Sequence, residues 1–149
     1  MRYTIEQVMD RLEIEDLITD YAAIIDSGEV DKLDAIFTSD AAIDYSAMGG
    51  AKGAYPEVKE FLRKALKGFK NTQHLISNFE IKLDGDRATG KIMCFNPMEM
   101  DSGERPAIPV FFIGLWYHDE YIKTPAGWRI AVRSETKSWT HNLPSFMKL

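Results

Sequence analysis

The sequence predicts an α+β fold with a largely antiparallel sheet, and three observations carry that prediction. Apolar residues recur at helical spacing as far as Leu66. Beyond Phe69 they alternate with a period of two. The alternating stretches are joined by hairpin signals, with no helical pattern between them.

The first helix starts from Thr4 as N-cap, and Gln7 three residues on completes a capping-box signature. Ile5, Val8, Met9 and Leu12 recur at 3,4 spacing, and Leu17, Ile18, Tyr21, Ala22 and Ile25 read as the same buried stripe continued. Gly28 is the stop signal. A short second helix is expected over 30–37, with Val30, Leu33, Ile36 and Phe37 inward, then a brief strand over 41–45 and a flexible glycine-rich loop from Met48 to Gly53. Pro56 opens a third helix, where its missing N–H is harmless, and Val58, Phe61, Leu62, Ala65 and Leu66 form its apolar stripe.

Over 73–83, Gln73, Leu75, Ser77, Phe79, Ile81 and Leu83 share one strand face and His74, Ile76 and Asn78 the other. Asp84-Gly85-Asp86 signals a hairpin into a strand over 87–96. Residues 108–122 place Val110, Phe112 and Trp116 on one face and Phe111, Ile113, Leu115 and Tyr117 on the other, which reads as a central strand buried on both sides. Pro125-Ala126-Gly127 turns the chain into a last strand, Trp128 to Thr140. No repeat, linker or low-complexity segment divides the chain, so one domain over residues 1–149 is expected.

Composition narrows the function. A formal net charge of −5 lacks the basic face that phosphate recognition needs, so no nucleic-acid partner is expected. No apolar run approaches the roughly 20 residues that cross a bilayer, and the first ten residues lack the apolar core of a signal peptide, so no membrane partner is expected. Cys94 stands alone and forms no internal disulfide, which points to a reducing compartment and a cytoplasmic location.

Four side chains are candidates for chemistry. Asp26 lies in the last turn of the first helix, where the helix dipole disfavours a bare carboxylate. Either a histidine meets it, or it caps the next helix through the Asp26-Ser27-Gly28-Glu29 spacing. His74 stands among apolar neighbours and suits proton transfer near neutrality; its alternative is a hydrogen-bonded structural histidine. Tyr21 and Tyr45 are either donors to a developing oxyanion or amphipathic core rings. His118 and His141 fit no metal-ligand pattern, so no metal is expected. Gly49 to Gly53 lacks the strand and Ser/Thr of a phosphate loop. Met98 and Met100 read as pocket lining or loop packing. Arg129 and Arg133, alternating with Trp128, Ile130 and Val132, read as a solvated face.

Taken in order, Tyr21-x4-Asp26, Ile43-Asp44-Tyr45, Thr72-Gln73-His74 and Gly127-Trp128-Arg129-Ile130 resemble the SnoaL-like branch of the nuclear-transport-factor-2-like superfamily. The likeness is nearest in motif to scytalone dehydratase and bile acid 7-alpha-dehydratase and extends from about residue 4 to about residue 139. It implies a cone-shaped barrel of three helices packed on a strongly curved sheet, with a pocket at the open end. It further implies an Asp26–His74 dyad, with Tyr21 catalytic and Tyr45 orienting the substrate, and no cofactor. Hexachlorocyclohexane dehydrochlorinase shares the Asp–His pair, which points to elimination.

Two departures matter. Ile25 stands where scytalone dehydratase has a tyrosine, and Met98 falls on or near its second pocket histidine. With Phe112 and Trp116 they make the expected pocket apolar, suited to a small hydrophobic molecule such as a steroid, terpenoid or polycyclic aromatic. Isomerase and polyketide-cyclase chemistry would use much the same parts. The resemblance also implies a homo-dimer or homo-trimer. The rival reading is a non-catalytic small subunit of a ring-hydroxylating dioxygenase, or a binding and assembly module. An enclosed cavity of about 300 Å³ or more with His74 exposed in it favours the enzyme; packed side chains there favour the rival.

Overall fold

The computed structural model describes residues 2–100, 110–147 and 149. Helix α1 spans Ile5–Ser27, a 3-10 helix Val30–Ala35, and helix α2 Tyr55–Ala65. Seven strands complete the fold: β1 (Phe37–Asp44), β2 (Lys52–Ala54), β3 (Phe69–Thr72), β4 (Leu75–Asp84), β5 (Arg87–Met100), β6 (Phe111–Thr124) and β7 (Gly127–His141). They form one curled, unclosed sheet in the order β2-β1-β7-β6-β5-β3, with β4 also paired to β5. Every pairing is antiparallel except β1 with β7. The three helices pack on this sheet, and the core lies between.

The capping box at Thr4 and the left-handed Gly28 (φ 72°) end α1 where the sequence places them. Its apolar residues divide differently. Ile14, Leu17, Ile18, Tyr21, Ala22 and Ile25 are buried, whereas Ile5, Val8, Met9 and Leu12 are exposed. At 100° per residue the N-terminal quartet centres roughly 180° from the buried stripe, so the two sets share a spacing and occupy opposite faces. Asp10, on the buried side, accepts from Trp128 Nε1 (3.0 Å) and Lys123 Nζ (2.7 Å) and ties the helix to the sheet.

Three other expectations change. The second helix is a 3-10 turn, and Phe37 already belongs to β1. The glycine-rich segment starts at the end of a 3-10 turn, Ser46–Met48, and runs into strand β2. Gly50 is needed there, because a Cβ would lie 2.6 Å from that of Tyr45. Strand β5 runs past residue 96 to Met100. Residues 108 and 109 of the predicted β6 lie outside the described residues.

The faces of the sheet are set by bulges. On β5 the inward residues are Ala88, Gly90, Ile92, Cys94, Asn96 and Met98, and opposite them on β6 stand Tyr121, Asp119, Tyr117, Leu115, Ile113 and Phe111. Phe112 and Trp116 point to the convex side and are half-buried, so β6 is not buried on two sides. There Phe112 stacks on Phe95, and Trp116 lies under Lys91 Nζ at 4.3 Å. Gly114 lets the Trp139 ring lie against the strand, since a Cβ would approach it to 2.5 Å. A register shift between Glu120 and Tyr121 inverts the phase of β7: Trp128 and Ile130 face inward, and after the shift Arg133 and Glu135 do. The reading of Arg133 as solvated is therefore corrected, because it is 0% exposed.

Candidate active site

A cavity of about 270 Å³ opens between α1, α2 and the concave sheet. Tyr21 and Ile25 reach it from α1, Phe61 and Leu62 from α2, Met98 from β5, and Ile113, Leu115 and Tyr117 from β6. Met48, Gly49, Gly50 and Met147 also line it. It falls just under the 300 Å³ mark and is open rather than enclosed, but it is not filled by packed side chains and His74 lines it. A larger concavity of about 910 Å³ is an open groove beside α1 carrying Glu13, Asp16, Asp20 and Lys32. It holds no histidine and no tyrosine, so the smaller cavity is the candidate for chemistry.

His74 sits in the two-residue link between β3 and β4, where it escapes the strand ladder. Asp26 grips it twice: Oδ1 lies 2.6 Å from Nδ1, and Oδ2 accepts from the His74 backbone N–H at 2.8 Å. The carboxylate gains the donors that the end of α1 denies it, so Asp26 is no helix cap. The contact fixes Nδ1–H toward Asp26 and leaves Nε2 as the exchangeable nitrogen.

Nε2 lies 3.0 Å from the amide of Asn96, which is buried. With Oδ1 turned toward Nε2, the amide nitrogen of Asn96 donates to Thr72 Oγ1 (2.9 Å), Pro97 O (3.2 Å) and Gln73 O (3.3 Å). That orientation matches an imidazolium, with hydrogen on both ring nitrogens. The opposite orientation presents Nδ2–H to a neutral ring. One amide thus answers both protonation states of His74. The sequence reading missed this role, although alternation through Ile92, Cys94 and Met98 places Asn96 inward.

Tyr21 and Tyr45 meet hydroxyl to hydroxyl at 2.9 Å. Burial pushes the Tyr21 phenol up to about 12 and that of Tyr45 well above its usual value, so both remain proton donors at neutral pH. One hydroxyl serves the other, and one proton of the pair is left for a third partner. Behind them Arg133 forms a fully buried, two-pronged pair with Asp119 (2.8 and 2.7 Å). Its guanidinium lies 4.2 Å from the Tyr21 ring centre and 4.3 Å from that of Tyr117. Glu135, also absent from the sequence reading, lines the cavity.

Of the residues expected at the site, Asp26, His74, Tyr21, Tyr45, Ile25 and Met98 come together around the cavity, Asp26 from behind His74. Phe112 and Trp116 do not line it. They are even-numbered on a strand whose odd-numbered residues face inward, so Ile113, Leu115 and Tyr117 take their place.

Residues 6–134 match the SnoaL-like domain. The chain belongs to that family. Two relatives, from Mycobacterium tuberculosis and Mycobacterium bovis, are 46% identical over 134 residues, 90% of this chain and 89% of each relative; both bear only the description of uncharacterised proteins. The Kfla4162 protein of Kribbella flavida has a similar structure, with TM-score 0.83 and 25% identity over 90% of this chain and 94% of its own. At lower identity the fold recurs in two further solved structures. One is described as a putative scytalone dehydratase from Novosphingobium aromaticivorans (TM-score 0.75, 22% identity, 92% of this chain and 89% of that one). The other is a hexachlorocyclohexane dehydrochlorinase from Novosphingobium barchaimii (TM-score 0.74, 16% identity, 97% of each chain).

Proposed function

We propose that this SnoaL-like chain is a cofactor-independent lyase of the dehydratase type, acting on a small hydrophobic, carbonyl-bearing molecule. The observation that carries this reading is the 2.6 Å contact between Asp26 and His74 beside an open apolar cavity. Structural neighbours described as a dehydratase and a dehydrochlorinase support the same class of reaction.

In the proposed reaction the substrate displaces Asn96 from His74 Nε2, which then takes a proton from the carbon next to the carbonyl. The C–H electron pair moves to the carbonyl oxygen, where the Tyr21–Tyr45 pair donates a hydrogen bond. As that pair returns to form the C=C bond, the neighbouring C–O bond breaks, and the departing hydroxide takes the proton from His74 and leaves as water. Asp26 offsets the imidazolium charge in between, while Nε2–H stays directed at the departing oxygen. A positioned base contributes typically 10²–10⁴-fold, and an oxyanion donor a few kcal/mol.

A thermal-shift screen of hydroxylated steroids and cyclic ketones should yield a ligand that raises the melting point. With that ligand as substrate, His74→Ala and Asp26→Asn should each lower turnover by roughly 10²-fold or more while the fold survives. Full turnover in either variant defeats the reading.

A further inference from the structure

Glu135 is the only carboxyl among the described residues that line the cavity, and the reaction above leaves it without a role. No hydrogen bond or ion pair satisfies it among the described residues, although it stands two positions from a buried arginine. Arg133 spends Nε and Nη2 on Asp119, and its buried Nη1, which has no acceptor among the described residues, forms no ion pair with Glu135 either. The groups around it come from every wall: Arg133 on its own strand, Tyr117 directly opposite on β6 with Asp119 beyond, and Cys94 on β5. Tyr21 faces it from α1, and Tyr45 and Asp44 from the end of β1. The one cation among them, Arg133, makes no ion pair with Glu135 among the described residues, and its pull is outweighed by burial. Burial, reinforced by Asp119 and Asp44 and opposed by Arg133, pushes its carboxyl up to about 8. At neutral pH the cavity therefore holds an unpartnered O–H.

We propose that Glu135 anchors the ligand by donating a hydrogen bond to its carbonyl oxygen, beside the Tyr21–Tyr45 hydroxyls, and so selects uncharged aromatic or polycyclic ketones over cations. The proposal rests on the carbonyl-substrate reading above and deepens it. Tyr21 and Tyr45 largely satisfy one another, so a second donor explains how the oxygen is held in an apolar space. Ionisation of Glu135 removes that donor and sets a negative charge against the carbonyl. Binding of a ketone should then fail as the pH rises past the carboxyl's titration. The cavity tyrosines Tyr21, Tyr45 and Tyr117 and the neighbouring Cys94 thiol keep their protons in that range, because burial pushes Tyr21 and Cys94 up to about 12 and Tyr45 and Tyr117 well above the usual phenol value.

The test is isothermal titration of the whole chain with 2-acetonaphthone, which can accept a hydrogen bond but not donate one, at about pH 6.5 and about pH 9.5. Affinity should fall roughly tenfold or more at the higher pH. Glu135→Gln retains an N–H donor and does not titrate, so its affinity should be the same at both. A wild-type affinity independent of pH, an equal fall in Glu135→Gln, or no binding at either pH overturns the proposal. So does tighter binding of 1-naphthylmethylammonium than of the ketone at about pH 6.5. His74→Ala should keep the pH dependence, so failure here and failure of the dyad are told apart.

Discussion

Two carboxylates in this core each hold two N–H donors of a basic residue, and their settings differ. Asp119 and Arg133 have no exposed side-chain surface, stand opposite each other on β6 and β7, and are enclosed by Tyr21, Tyr117 and Tyr121. Asp26 and His74 sit at the cavity edge, with side chains 24% and 9% exposed. Arginine keeps its proton at any physiological pH, so the first pair fixes geometry and exchanges nothing. Imidazole, unlike guanidinium, can take up and release a proton, and the amide beside His74 fits either state. The comparison teaches that one residue type, aspartate, becomes scaffold or machinery according to what it holds and whether a ligand can reach it.

The closed pair should break hardest. Asp119→Ala strands a buried guanidinium and should cost about 3–5 kcal/mol by urea unfolding, whereas Asp119→Leu with Arg133→Met should recover most of that. Recovery no better than the single variant would mean the pair itself is needed for the fold.

Glu135 sharpens the contrast, being a half-buried carboxyl with no ion-paired basic partner among the described residues. Its folded value of about 8 lies above the ordinary 4.5, so the native state holds a proton that the unfolded chain has lost. Stability should therefore fall as pH rises from about 4.5 to about 8, by at most about 1.4 kcal/mol per pH unit. Glu135→Gln should remove that fall and be more stable than the parent by about 3 kcal/mol near pH 9. Parallel melting curves for the two proteins across this range would contradict the burial argument.

The smallest change in stability should come from the pair at the cavity edge. Asp26→Asn keeps one acceptor and should cost about 1 kcal/mol. Its larger effect is on the ring: two-bond proton–nitrogen NMR should find Nδ1 protonated in the parent, and a loss of that preference in the variant. An unchanged tautomer would mean that Asn96 alone orients the imidazole.

Much of this was legible in the sequence. Capping residues, the Asp84–Asp86 turn and the period change after Phe69 are local signals, and local chemistry fixes them. The motifs at Asp26 and His74 marked their own candidates. Phase was not legible. Ile5 to Leu12 share the spacing of the α1 core stripe but not its face, and the shift opposite Tyr121 turned Arg133 and Glu135 inward. Choosing between the two apolar faces of β6 required knowing which one the helices cover, a long-range fact that neither Phe112 nor Ile113 carries alone.

The most direct test of the central claim is hydrogen exchange on carbon. 2-Acetonaphthone in D2O, with its methyl protons next to the carbonyl, should exchange them faster in the presence of the chain, followed by proton NMR. His74→Ala and Asp26→Asn should each slow that exchange by roughly 10²–10⁴-fold. Equal rates in parent and variants, or a parent no faster than buffer, would contradict the assignment of proton transfer to this pair.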